Sequence, residues 1–273
     1  DFGEKVVLRR DLTSVYITSD LYLAKLKDEE FKLDGSIYVV GNEQEYHFKV
    51  LFYLLKKFGF KFSKNLHHLS YGMVELPDGK MKSREGTIVD ADDLILETKG
   101  LAMKELQKRD LEISKKDLGE KGLKIALAAI KFTLLKVDIK KNMIFNPKEA
   151  ISFEGDTGPY LLYSYARANS ILVKSNKKPG NKIDIYELKE QEINLLKRLN
   201  DFSNVVGNAY ESLSPSAISS YVLELTHSFN EFYQNCQVLK SEEEDFRLRL
   251  VESFKNVLGN CLDLLGIEKL DKM

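Results

Sequence analysis

The chain has 273 residues, 43% of them hydrophobic and 10% aromatic, with 16 Gly and 5 Pro, which excludes a disordered, collagen-like or low-complexity protein. Lys and Arg total 41 against 42 Asp and Glu, so a net charge of −1 argues against a bulk electrostatic grip on nucleic acid and leaves only local basic patches. No apolar run is long enough to span a bilayer and no signal peptide is visible, so a cytoplasmic protein without membrane contact is expected.

The first third alternates strand and helix. Thr13 to Thr18 is rich in β-branched residues and suits a strand, followed by a helix from Asp20 to about Phe31. Ser36 to Val40 reads as a buried strand closed by Gly41. Glu43 to Phe58 places Phe48, Leu51, Phe52, Leu55 and Phe58 at helical spacing, with Gly59 as C-cap. Leu66 to Leu76 gives a third strand, ended by the turn Pro77-Asp78-Gly79. This alternation implies right-handed parallel crossovers and the C-terminal half of a doubly wound, Rossmann-like α/β sheet. Ligands of such sheets bind beyond the carboxyl ends of the strands, where Asp20, Gly41 to Gln44 and the turn after Leu76 are expected.

The remainder reads as helical. Ala91 to Gln107 is amphipathic, Gly119 to Gly122 breaks the chain, and Leu123 to Val137 is apolar enough for a central buried helix. An irregular stretch runs from Asp138 to Gly158, and Pro159 opens a helix with Leu161, Tyr165, Ala168 and Leu172 on one face. Lys177 to Asn181, with Pro179-Gly180, is a loop. Three helices close the chain. The first is marked by Ile193, Leu196, Leu199 and Val206. The second, capped by Ser214 with Pro215, aligns Ile218, Tyr221, Val222, Leu225 and Phe232. The third, with a capping box of Ser241 and Glu244, aligns Leu250, Phe254, Val257, Cys261 and Leu265. From about residue 151 an antiparallel bundle of four or more helices is expected, and the chain as a whole is predominantly helical.

Cys236 and Cys261 lie in apolar helical patterns and read as buried free thiols of a reducing compartment. They, with His47, His67, His68 and His227, show no metal-ligand spacing, so no protein-bound metal is expected. Between residues 80 and 149 there are 16 basic against 12 acidic residues, usually a solvated helix face but also where a phosphate backbone would be gripped. The segment Lys80-Met81-Lys82-Ser83-Arg84-Glu85-Gly86 places three cations and a serine on a glycine-ended turn. Alone it is more often plain surface, yet it is also a sensible polyphosphate clamp.

That loop resembles the Lys-Met-Ser-Lys-Ser signature of class I aminoacyl-tRNA synthetases, and its continuation Thr87-Ile88-Val89-Asp90-Ala91-Asp92-Asp93-Leu94 resembles the arginyl branch. Thr13 to Asp20 is similar to the family's tyrosine- and aspartate-bearing strand, and Val39 to Phe48 to its glutamine-bearing segment. Ser152 to Arg167 is similar to the entry into the helical anticodon-binding domain, and Leu264 to Met273 to the family's C-terminus. The resemblance covers essentially the whole chain, with the motifs in family order.

The resemblance implies an arginine–tRNA ligase that activates arginine with ATP and Mg2+ and transfers it to the 3′ end of its tRNA. It implies that Tyr16 and Asp20 bind the guanidinium and that Gln44 makes a third arginine contact. A planar cation with five N–H donors suits a carboxylate and neutral acceptors. The bland alternatives are a core aromatic for Tyr16, an N-cap for Asp20, a surface position for Gln44 and a packing role for His47. Gly41, Lys80, Met81 and Ser83 would contact ATP. Lys80 matches the first signature lysine; Lys82 stands in place of the first serine and Ser83 in place of the second lysine, so Lys82 or Arg84 supplies the catalytic charge instead.

For tRNA, Tyr160 and Tyr163 are candidates because tyrosines stack on unpaired bases, Arg167 can contact phosphate or pair with Asp156, and Met273 resembles a family position near the anticodon. Tyr165 suits the core better, and Tyr210 is a further candidate. Residues 1–100 would be the C-terminal half of the catalytic domain, 101–150 a helical connecting region that contacts the tRNA stem, and 151–273 the anticodon-binding domain. The family's His-Ile-Gly-His-type signature has no counterpart and the chain starts at Asp1, so a monomeric portion of a synthetase, inactive alone, is expected. The competing readings are a non-catalytic RNA-binding module derived from the same fold and a purely structural helical protein.

Overall fold

A computed structural model describes residues 2–77, 90–109, 113–175 and 186–273. The chain forms two compact units, Asp1–Met73 with Ile139–Met143 and Val74–Asp138 with Ile144–Met273.

The smaller unit is α/β. Helix α1 (Tyr16–Phe31) precedes strand β1 (Ser36–Gly41), helix α2 (Glu45–Lys57) and strand β2 (Leu66–Tyr71). β1 and β2 pair in parallel from Ser36↔Leu66 to Gly41↔Tyr71, joined by α2 as the alternation requires. Phe48, Val50, Leu51 and Leu55 of α2, with Ile17 and Ala24 of α1 and Phe62, form the core. Each large side chain so buried contributes roughly 1.5–3 kcal/mol. Phe58, expected on the same stripe, is exposed instead because α2 ends there. Gly59 at φ +81° closes α2: its N–H donates to Lys56 and that of Phe60 to Leu55, a paired cap that needs the left-handed backbone glycine tolerates.

Two expected strands differ. Thr13–Thr18 is not a strand; the chain makes a single antiparallel bridge, Leu8↔Ser14, and α1 already begins at Tyr16. Ile17 and Ala24, seven residues apart, share one helical face in the core, and this packing overrides the β-branched composition. The run Leu66–Leu76 is interrupted after Tyr71, where the Gly72 N–H donates to Ile139 at 2.7 Å and a Cβ would lie 2.3 Å from the Lys141 carbonyl oxygen. Beyond it, β3 (Val74–Glu75) forms a separate two-stranded sheet with β4 (Met143–Ile144).

The larger unit is helical: α3 (Ala91–Arg109), α4 (Lys115–Leu135), the single turn α5 (Pro147–Ala150), α6 (Gly158–Ser175), α7 (Glu190–Ser212), α8 (Pro215–Asn235) and α9 (Glu244–Leu264). α4 runs straight through Gly119 and Gly122, so the expected break is absent. Gly122 serves packing, since a Cβ there would lie 2.5 Å from Met103 Cγ on α3. Gly158 does the same at the start of α6, where a Cβ would stand 2.2 Å from the Ala128 carbonyl oxygen.

The core joins Leu161, Ala168, Val222, Leu225, Phe232, Phe254 and Cys261, with Phe229 and Phe254 stacked at 3.7 Å. The expected faces of α6, α8 and α9 are the buried ones. That of α7 is met only in part: Leu199 and Val206 pack against the core, but Ile193 and Leu196 are 37% and 36% exposed and Leu195 is buried in their place. Pro215 takes the first turn of α8 as expected, but the Ser214 hydroxyl meets Ser216 rather than capping the helix. The Ser241–Glu244 box does not form either; Glu244 accepts from the Lys240 N–H, and Ser241 donates to Val238.

Beneath α7 lies a buried ion pair. Arg247 Nε donates to Glu192 Oε1 at 2.8 Å, and Glu192 also accepts from the Tyr186 hydroxyl and the Lys189 N–H. Burial alone would raise the Glu192 carboxyl, but these hydrogen bonds hold it below the ordinary glutamate value. Both cysteines are buried free thiols, and burial pushes Cys261 up to about 12. No described helix is long and apolar enough to cross a membrane.

Candidate functional site

In the α/β unit, β1 ends at Gly41, Asn42–Gln44 make one 3-10 turn, and α2 starts at Glu45 with Gln44 as its N-cap residue. His47, in the first turn of α2, brings its Nε2 within 2.6 Å of Asp20 Oδ2 on α1, and its ring lies edge-on to Phe48. Asp20 is thus tied to the helix that leaves the carboxyl end of β1; its side chain is 38% exposed and that of His47 24%. Burial raises the Tyr38 hydroxyl above its ordinary value, and the nearby Asp20 charge adds to that rise.

Tyr16, four residues before Asp20, projects from the same helical face and is 86% exposed. Gln44 is exposed, and Gly41 is half-buried. A carboxylate with one oxygen held by an imidazole and the other turned outward can accept an N–H from a planar cation. The expected strand setting of Tyr16 is corrected to a helix, while Asp20 lies on a helix as expected and meets the first turn of α2 through His47. His47, read from sequence as packing, is the partner of Asp20. The two are 27 residues apart, and no sequence spacing signals the pairing.

A separate cavity of about 310 Å³ lies between α2 and β2, lined by Asn42, Glu45, Phe48, Lys49 and His68 among others. Lys49 pairs with Glu45 at 2.9 Å and holds that carboxyl below its ordinary value. The loop residues Lys80, Met81, Lys82, Ser83 and Arg84 lie outside the described residues. Among the described residues no three His, Cys, Asp or Glu side chains gather as a metal site.

The helical unit holds a larger groove of about 720 Å³. α6 contributes Tyr163, Arg167 and Lys174, α8 contributes Tyr233, and Gln237 and Met273 are among the other residues that line it. The Arg167 guanidinium sits 4.6 Å from the Tyr163 ring and 5.2 Å from the Tyr233 ring, held between two π faces. Arg167 donates to Asn230 Oδ1 at 2.8 Å, and Asn230 donates to the Tyr160 hydroxyl at 2.6 Å.

The structure therefore brings together Tyr163, Arg167 and Met273, with Tyr160 behind them through Asn230. Asp156, the expected alternative partner of Arg167, faces His227 at 3.5 Å instead. Tyr165 is in the core, and Tyr210 is 78% exposed on α7 and does not line the groove. Sequence reasoning missed Tyr233, Asn230, Lys174 and Gln237. The α6 members recur as a stripe, Tyr163, Arg167, Ser170 and Lys174, that helical spacing makes visible; Asn230 meets Arg167 across 63 residues and gives no such sign.

A parallel β–α–β end with a helix-borne carboxylate, followed by a helical bundle with a cationic aromatic groove, matches one known class. Residues 1–147 match the catalytic domain of the class I (R) tRNA synthetases, and residues 161–273 match the DALR anticodon-binding domain. The chain belongs to this arginyl family of class I tRNA synthetases. It is 46% identical over 283 residues to the arginine–tRNA ligase of Bacteroides fragilis, which covers 98% of this chain and 47% of that protein. It is 45% identical to that of Treponema denticola, with 99% and 48% coverage. The solved Thermus thermophilus arginyl-tRNA synthetase superposes with a TM-score of 0.89 at 29% identity, over 98% of this chain and 51% of that one. The Plasmodium falciparum enzyme gives 0.86 at 26% identity. The chain spans about half the length of the curated relatives it matches.

Proposed function

We propose that the chain supplies part of an arginine–tRNA ligase: the arginine-binding end of the catalytic sheet and the tRNA-binding bundle. The observation that carries this reading is the Asp20–His47 contact at 2.6 Å, which fixes one carboxylate oxygen beside the end of β1 with Tyr16 on the same helical face. Asp20 would accept the guanidinium N–H donors, with Tyr16 and Gln44 as neutral acceptors. Gly41, Lys80, Met81 and Ser83 would contact ATP, whose Mg2+ arrives with the nucleotide, and Lys80, Lys82 and Arg84 would offset charge on the phosphates.

The chemistry has two steps. The arginine carboxylate attacks the α-phosphorus of ATP and pyrophosphate leaves; a hydroxyl of the terminal tRNA ribose then attacks the acyl carbon and AMP leaves. Both rest on positioning and charge stabilisation, with no covalent protein nucleophile. In the bundle, Tyr163 and Arg167, backed by Tyr160 and bordered by Met273, would stack on and pair with unpaired anticodon bases. In this reading residues 1–100 belong to the catalytic domain, 101–150 contact the tRNA stem, 151–273 read the anticodon, and the chain works as a monomer in the cytoplasm.

Two measurements test it. Arginine- and tRNA-dependent ATP–pyrophosphate exchange by this chain alone should be absent; detectable exchange overturns its proposed inactivity. Filter binding of arginine tRNA should be measurable at low salt and fall steeply as salt rises, because phosphate contacts release counterions. Equal retention of an unrelated tRNA would remove the anticodon-reading role.

A further inference from the structure

The groove's wall between α8 and α9, Cys236 to Leu239, is a connection without regular structure, yet it must hold its shape if bases are to fit beside Arg167. Its carbonyls at Gln237, Val238 and Leu239 all accept hydrogen bonds. Val238 receives the Ser241 hydroxyl, and Leu239 receives Gln237 Nε2. The Gln237 carbonyl receives Arg247 Nη1 at 2.9 Å, from a guanidinium that is almost wholly buried.

Arg247 joins three segments at once. Nε reaches Glu192 in the first turn of α7, and Nη1 reaches both Gln237 in the wall and Glu243 Oε2 at 3.0 Å at the start of α9. Glu192, fully buried, is itself fixed by Tyr186 and the Lys189 N–H, and the Tyr186 ring stands at 90° to Phe246, one residue before Arg247. A planar five-donor fork can serve several acceptors in fixed directions, which an ammonium or an apolar side chain cannot. Apolar residues would pack this site at least as well, because buried ion pairs seldom stabilise more than a hydrophobic replacement. What they could not do is point a donor at the Gln237 carbonyl.

We infer that Arg247, seated on Glu192, is a positioning residue for RNA recognition: it sets the Gln237–Leu239 wall of the aromatic groove without touching the RNA. The inference rests on the reading of that groove as the RNA site. Its test is the double replacement Glu192→Met with Arg247→Met in the 273-residue chain. This removes both buried charges together, and the carboxylate that loses Arg247, Glu243, is part-exposed and can be solvated, so the double variant should stay folded. The probe is an anticodon stem–loop of an arginine tRNA.

Two readouts are expected to move. Amide exchange should accelerate at residues 237–240 and not within α6 or α9. Stem–loop affinity should fall about tenfold, the weight of one lost base stack. Unchanged exchange at 237–240 in the folded double variant overturns the positioning role, and so does faster exchange with unchanged affinity. If the double variant does not fold, Arg247→Lys, which keeps the charge on Glu192 but not the fork, is read by the same two measurements and with the same outcomes. Failure of the underlying reading looks different: the parent chain fails to bind the stem–loop, or Arg167→Ala binds as well as the parent. The exchange measurement still decides whether Arg247 holds the wall.

Discussion

The two units carry their polar side chains in different ways. In the bundle, Arg167 is clasped between Tyr163 and Tyr233 and tied through Asn230 to Tyr160, so its guanidinium is placed before anything binds. In the α/β unit only one oxygen of Asp20 is fixed, by His47, while Tyr16 and Gln44 stand in solvent. A prebuilt seat loses little side-chain entropy on binding, whereas exposed side chains must be ordered by the ligand. The lesson is that rigidity follows the surrounding contacts: two rings and Asn230 hold Arg167, whereas His47 holds one oxygen of Asp20.

The largest effect expected on this contrast is Phe254→Ala, which removes a fully buried ring stacked on Phe229. It should lower the unfolding free energy by about 3–5 kcal/mol in a denaturant titration; a loss under about 1 kcal/mol would mean that the bundle is not the rigid partner. Acid comes next. Glu192 is held below its ordinary value in the folded state, so its stabilisation is complete above the unfolded glutamate value of about 4.3 and is lost as pH falls through the lower folded one. Thermal midpoints of the parent should drop over that acid range, and Glu192→Gln should flatten this limb.

Arg167→Ala should weaken stem–loop binding about tenfold with little change in stability, and Arg167→Lys should recover little, because the ammonium neither stacks nor forks. Fluorescence anisotropy reads both. Gly119→Ala, in open space in the second turn of α4, should stabilise by up to about 1 kcal/mol, while Gly122→Ala, which meets Met103, should not. The smallest change is expected in the α/β unit. His47→Gln disturbs a partly exposed pair and should cost under about 1 kcal/mol; a cost above about 2 kcal/mol would show the Asp20 site to be as firmly built as the groove.

Much of this was legible in the chain. Ile218, Tyr221, Val222, Leu225 and Phe232 fall on the buried face of α8 as their spacing says, and Gly59 ends α2 where a left-handed residue is needed. The phase of α7 was hidden because a core position is taken by Glu192, whose burial depends on Arg247, 55 residues away. Tyr16 to Thr18 looked like strand because intrinsic preference says nothing of Ile17 packing beside Ala24. At the sites, Tyr163 and Arg167 could be singled out, yet Asn230 and Tyr233 could not, since a helix pattern does not report which other helix lies across from it. Asp20 was visible; that His47 grips it was not.

The depth of Cys261 has a practical use. With its thiol pushed up to about 12 by burial, Cys261 is held as the unreactive thiol at neutral pH, and the sulfur is wholly covered besides. An alkylating reagent can capture it only during brief openings of the helices around it. The modification rate therefore serves as a built-in stopwatch for those openings, readable by mass without attaching any label.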